Sequence, residues 1–259
     1  MIGAIRTPDD TRWYRLSVGA LVALAWVALA VWGASPFAGL LSHRVIIGDR
    51  TLSLPPVFRL GLFVVGWTLM TIAMMLPSSL PLVHLFRRMV AGRSDCNALL
   101  RRLVLGYLGV WVGFGALAYR GDALVHEAIE LVPSAAPWVA TVLLLTAGIY
   151  QFTPLKQMCL EKCRSPYSFI VEHWRGREAR DALQLGARHG LFCLGCCWTL
   201  MLLMFAIGGA NLGWMLGLGA VMAAERTTRW GHHLTRPLGV ALGVWALLHL
   251  AGIAPFPST

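Results

Sequence analysis

Five of the six cysteines in this 259-residue chain fall into two tight groups. The first group is Cys159 and Cys163, and the second is Cys193, Cys196 and Cys197. Residues three or four positions apart share a face of an α-helix, so each group would present its thiols together. Thiolates prefer soft metals such as Cu(I) and Zn(II). The spacing therefore predicts either a metal site or a reactive dithiol, and the sixth cysteine, Cys96, is predicted to be a packing residue.

Methionine and histidine extend the candidate ligand set. Met74 and Met75 lie towards the inner half of the second apolar segment, and we expect them on the same side of the membrane as the thiols. Thioethers beside thiolates favour copper, with zinc as the alternative. His189 precedes Cys193 by four positions and would share its helix face. The predicted metal ligands are Cys159, Cys163, Cys193, Cys196, Cys197, Met74, Met75 and His189.

The composition predicts an integral membrane protein. Hydrophobic residues make up 57% of the chain and charged residues 13%, whereas soluble domains carry about 25% charge. Several apolar stretches are long enough to cross about 30 Å of hydrocarbon as helices, and we expect the first to be a true span and not a signal peptide. We predict one all-α, polytopic membrane domain over residues 1–259, with seven spans at 16–34, 59–83, 103–119, 136–153, 190–208, 211–224 and 237–254. Pro77 and Pro81 predict a kink in the second span.

The basic residues predict the orientation of these spans. Eighteen of the 22 fall in the N-terminal segment and in the loops after spans two, four and six, and the other four are Arg44, Arg50, Arg59 and Arg120. Positive charge concentrates in cytoplasmic segments, so we expect a cytoplasmic N-terminus and an outer C-terminus. This places all six cysteines in the inner half. It also accounts for the net charge of +10 without a nucleic-acid partner.

Two further segments receive specific predictions. Residues 121–134 alternate acidic and apolar side chains, which predicts an amphipathic helix on the outer surface, and residues 35–58 predict a small hairpin or cap.

Glu225 ends the sixth span at the inner interface. It is expected either to pair with Arg226 or Arg229 or, if it points into the bundle, to belong to a functional site.

The longest motifs run from Met70 to Pro77, from Tyr150 to Pro166 and from His189 to Met201. They resemble a bacterial family of predicted metal-binding integral membrane proteins, domain of unknown function 2182, over about residues 60–230. The resemblance implies metal binding in the bacterial inner (cytoplasmic) membrane and no particular reaction. The matching positions are Met70, Met74, Met75, Pro77, Tyr150, Gln151, Pro154, Lys156, Cys159, Cys163, Arg164, Pro166, His173, Trp174, His189, Cys193, Gly195, Cys196, Cys197, Trp198, Met201 and Glu225.

Three functions remain open from the residues. The leading hypothesis is copper handling, alone or as an accessory subunit of a membrane metalloenzyme complex, with the bilayer and the other subunits as partners. The second is a thiol–disulfide or quinone-linked oxidoreductase using the Cys193-x-x-Cys196 motif, with Lys156 and Arg188 able to activate a thiol. The third is a purely structural subunit. A reducing cytosol disfavours the second, and no catalytic residue is predicted.

Overall fold

The computed structural model describes residues 8–35, 55–176, 178–207 and 211–253. These residues form ten α-helices and one short 3-10 turn, so the predicted all-α class is confirmed. The helices are α1 (Pro8–Gly33), α2 (Pro56–Met74), α3 (Leu76–Met89), α4 (Cys96–Leu131), α5 (Ala136–Tyr150), α6 (Pro154–Arg164), α7 (Pro166–His173), α8 (Ala179–Ile207), α9 (Leu212–Thr227) and α10 (Gly231–Leu250).

The described helices are compatible with a membrane protein. Four of them, α1, α2, α4 and α8, are long and apolar enough to cross a bilayer alone. The pair α5 and α6 passes only as a bent unit with an angle of 63°, which gives at most five spans by length and composition. The α9 helix has 16 residues, about 24 Å at 1.5 Å per residue, and α10 carries His232, His233 and Arg236 in its first turns. The seven-span topology therefore stays a prediction.

The predicted break in the second apolar segment is present. The α2 helix ends at Met74 and α3 begins at Leu76, with Pro77 in its first turn and Pro81 inside it. Proline lacks the N–H that an unbroken helix would use, so the chain starts a new helix at this point.

Residues 121–131 of the segment 121–134 are helical, as predicted, but they continue α4 and do not form a helix of their own. The α4 helix continues from Cys96 to Leu131 without a break, because no proline interrupts it, and Asp122 is buried against the bundle. Most of the segment 35–58, predicted to form a hairpin or cap, lies outside the described residues.

The α8 helix lies at the centre of the bundle and packs against α4, α5, α6 and α9. Its closest neighbour is α4, where Gly106 and Gly186 face the opposite backbone. A Cβ on Gly106 would overlap the carbonyl oxygen of Leu183, and one on Gly186 would overlap that of Leu103. The two helices can approach this closely only because both positions lack a side chain. This contact brings the first third of α8 directly against the backbone of α4.

Candidate metal centre

The three cysteines of α8 lie in the middle of that helix, completely enclosed by the bundle. Cys193 is 0% exposed, and Cys196 and Cys197 are each 1% exposed. The predicted span began at residue 190, but α8 begins at Ala179, so the thiols lie several turns inside it. The thiols of Cys196 and Cys197 each donate to the carbonyl of Cys193 at 3.0 Å. The hydroxyl of Tyr107, on α4, lies 3.0 Å from the Cys193 sulfur.

The α6 helix brings the first cysteine group onto the second. Its N-terminus is fixed by Thr153, whose hydroxyl accepts from the Lys156 amide at 3.3 Å, and by Pro154 in the first turn. Cys163 packs, partly buried, against the core cluster that contains Cys193, Cys196 and Cys197. The sulfur of Cys159 lies over Gly195, where a Cβ would approach it to 2.6 Å.

Gly195 is therefore the position at which α6 rests on α8. The hydroxyl of Tyr150 donates to its carbonyl, which adds a polar contact to the same crossing. The two cysteine groups that the helical spacing predicted to meet are adjacent in the structure.

The predicted methionine and histidine ligands lie at different distances from these thiols. The sulfur of Met75 is 3.7 Å from that of Cys197, so this thioether belongs to the cluster. Met74 points instead at α9, where its methyl group would contact a Cβ on Gly219 at 3.0 Å. His189 is buried one turn before Cys193, and its Nε2 lies 3.3 Å from the hydroxyl of Ser79.

Arg226 reaches the centre of the thiols, and the sequence analysis did not assign it there. Its Nε and Nη2 lie 3.3 and 3.2 Å from the sulfur of Cys196. Nη2 also donates to the sulfur of Cys193 and lies 3.7 Å from that of Cys197. Nη1 donates to Ser78 at 2.6 Å. The available signal was a charged residue at the end of an apolar helix, which in a membrane protein indicates a functional site.

A buried ion pair positions this arginine. Lys156 is 0% exposed, and its Nζ lies 2.9 and 3.1 Å from the two carboxylate oxygens of Glu225 while also donating to Gln151. The expected pairing of Glu225 with Arg226 or Arg229 is therefore corrected: its partner is Lys156, which was placed in a cytoplasmic loop. The pair joins α6 to α9.

Arg164 strengthens the same junction between α6 and α9. It donates to the carbonyls of Glu225, Thr228 and Arg229, the last two at 2.7 and 3.2 Å. These carbonyls lie at and just beyond the C-terminal end of α9, where the last carbonyls of a helix lack partners within that helix; the carbonyl of Thr228 also accepts from the Gly231 amide at 3.2 Å. Lys156 and Arg164 of α6 thus fix the C-terminal end of α9. Arg226, the residue after Glu225, extends from there into the thiols.

The arrangement is a cluster of five thiols, one thioether and one fixed positive charge. All six cysteines lie in the described residues and none of them forms a disulfide, and Cys96 packs in a separate core cluster with α3 and α7 residues. Within the described part of the chain, no three Cys, His, Asp or Glu side chains already stand in a metal-binding arrangement. The thiols point instead to Arg226 and to a backbone carbonyl, so a metal would require these hydrogen bonds to rearrange.

A comparison with known families matches the chain to a family whose description names copper. The family model described as "PpoB2: Copper chaperone" matches residues 64–249, which is most of the chain. The matched segment contains every predicted ligand and also Arg226, Lys156 and Glu225. No curated protein and no solved structure matches the chain. The match agrees with the expectation of a metal-binding family, whereas the label of the unknown-function domain stays a resemblance.

Proposed function

The chain belongs to the PpoB2 family of copper chaperones, and we propose that it is a membrane protein that binds Cu(I) through its clustered thiols and passes the ion on. The observation that carries this proposal is the meeting of the two cysteine groups, from α6 and α8, at one buried place beside Met75. Thiolate and thioether sulfurs are the ligands that Cu(I) prefers. Copper is the cargo of this site.

Arg226 supports a monovalent ion in this buried position. A Cu(I) ion held by two thiolates carries one net negative charge, which the guanidinium cancels. Zn(II) reaches the same balance only with a third thiolate. Uncompensated charge in a buried site is costly, so Arg226 favours the Cu(I) complex that uses two thiolates. Since the guanidinium now hydrogen-bonds three of the sulfurs, we expect it to move aside but stay close when copper binds.

We place this site near the cytoplasmic side of a bacterial inner membrane, in a seven-span protein with its N-terminus inside and its C-terminus outside. The distribution of 22 basic residues supports this orientation. From there the protein would supply copper for the maturation of a membrane metalloenzyme, or act as an accessory subunit of one.

The test is the metal content of the purified protein and of two cysteine variants. Changing Cys193, Cys196 and Cys197 to serine should abolish bound copper measured by mass spectrometry. Cys96→Ser is the matched control, because its thiol is equally buried but lies in another cluster. Stoichiometric zinc in place of copper would refute the copper assignment. A metal-free protein with a Cys193–Cys196 disulfide would favour the oxidoreductase instead.

A further inference from the structure

Buried methionines surround the thiol cluster in unusual number. Seven methionines of the described chain are 0–4% exposed, and all belong to the core cluster that also holds Cys159, Cys193, Cys196 and Cys197. They are Met70, Met74, Met75, Met201, Met204, Met215 and Met222. Each thioether adds a soft, uncharged sulfur to an otherwise apolar core.

On α8 the methionines continue the line of the thiols. Cys193, Cys197, Met201 and Met204 are spaced four, four and three residues apart, so they share one face of the helix. Met204 lies seven residues beyond Cys197, which is about 10 Å along the axis. The sulfur-bearing face therefore extends from the thiols towards the C-terminal end of α8.

The α9 helix presents a matching face. Met215, Gly219, Met222 and Arg226 are spaced four, three and four residues apart, and Arg226 contacts the thiols. Gly219 leaves room for the methyl group of Met74 from α2. Two packed helices joined by only four residues run antiparallel, so both faces lead from the thiols to the same end of the bundle, where α8 ends at Ile207 and α9 begins at Leu212.

We propose that these thioethers form a path along which Cu(I) passes between the thiol cluster and the end of the bundle where α8 ends at Ile207 and α9 begins at Leu212. Each step between thioethers exchanges one neutral sulfur ligand for the next while copper stays Cu(I), so these steps require no electron and no proton. When the ion leaves the two thiolates of the loading site, they take up again the two protons that the thiols released when copper bound. Conduction needs sites that bind well enough to accept an ion and weakly enough to release it, and neutral thioethers bind Cu(I) more weakly than thiolates do. The path rests on the proposed function, since the thiols are its loading site.

The first experiment measures Cu(I) transfer into liposomes that contain the purified protein and an internal Cu(I)-specific chelator. The path variant is Met201→Leu with Met204→Leu and Met215→Leu, because leucine keeps the volume but removes the sulfur. The control is Met89→Leu with Met158→Leu, whose side chains are 47% and 50% exposed. We expect transfer to fall by about tenfold or more in the path variant, as for damaged metal sites generally, and to be unchanged in the control.

The copper content of the same proteins separates this proposal from the function it rests on. The path variant should still load its thiols with as much copper as the wild type. Wild-type transfer in the path variant would overturn the path while leaving thiol binding intact. If the wild type fails to load copper on its thiols, the proposed function itself is refuted, whatever the path variant does.

A second experiment addresses the thioethers without the thiols. A protein with the five clustered cysteines changed to serine should retain weak Ag(I) binding with sulfur ligands in X-ray absorption. Adding the three Met→Leu changes should weaken it, since Met70, Met74, Met75 and Met222 remain. Equal Ag(I) binding before and after those changes would contradict the proposal.

Discussion

Gly195→Ala tests whether the contact between α6 and α8 builds the metal centre. A Cβ at this position would lie 2.6 Å from the sulfur of Cys159, whereas ordinary contacts begin near 3.4 Å. The sulfur must therefore move by roughly 1 Å, either by rotation of Cys159 or by a shift of α6. Overpacking of this kind costs about 1–3 kcal/mol, partly offset by about 1 kcal/mol from replacing a helical glycine with alanine.

The assay is a chelator competition for Cu(I) combined with thermal unfolding in detergent. We expect Gly195→Ala to weaken Cu(I) binding by about tenfold or more, because a supporting contact of the site is displaced, and to lower the free energy of unfolding by up to about 2 kcal/mol. Gly217→Ala on α9 is the control, since a Cβ there meets nothing within 4 Å. It should leave copper binding unchanged and should not destabilise the protein.

A double-mutant cycle identifies the cause of the loss. In a Cys159→Ala background, Gly195→Ala no longer meets a sulfur, so it should cost no stability, and the two changes should be non-additive. If Gly195→Ala and Gly217→Ala behave alike in both assays, the packing of Cys159 on α8 does not position the ligands, and this reasoning is refuted.

Three other predictions concern charge. Lys156→Met should lower the free energy of unfolding by about 3–5 kcal/mol, because it leaves a buried carboxylate unpaired. The double variant Lys156→Met with Glu225→Met should lose far less stability, and additive losses in thermal unfolding would contradict the ion pair. Arg226→Met should weaken Cu(I) binding and shift the competition between Cu(I) and Zn(II) towards zinc, and Arg226→Lys should have a smaller effect on both. An unchanged metal preference would show that the charge of Arg226 does not favour Cu(I). An alkaline phosphatase fused to the C-terminus should be active outside the inner membrane, and an inactive fusion there with an active one in residues 155–188 would reverse the orientation.

Helical periodicity predicted the part of the site that lies close together in sequence. The spacing of Cys193, Cys196 and Cys197 correctly indicated one face of a helix, and Pro77 correctly indicated a break between two helices. Both depend on local geometry that a few neighbouring residues determine.

The charged part of the site could not be predicted in this way. Lys156 and Glu225 are 69 residues apart, and Arg226 reaches Cys196 across 30 residues. Such pairings depend on how α6, α8 and α9 pack against one another. The periodicity of a single sequence shows which residues share a helix face, but not which helices are neighbours. The continuation of α4 to Leu131 was missed for a related reason: the acidic residues after Gly121 suggested a surface segment, although Asp122 packs inside.

The measurement that tests the central claim most directly is X-ray absorption at the copper edge of the purified, Cu(I)-loaded protein. The account predicts sulfur ligands only, at the metal–sulfur distance of about 2.3 Å typical of thiolate sites, and loss of this signal when Cys193, Cys196 and Cys197 are changed to serine. A copper ion with nitrogen or oxygen ligands only, or the same sulfur signal in that serine variant, would contradict it.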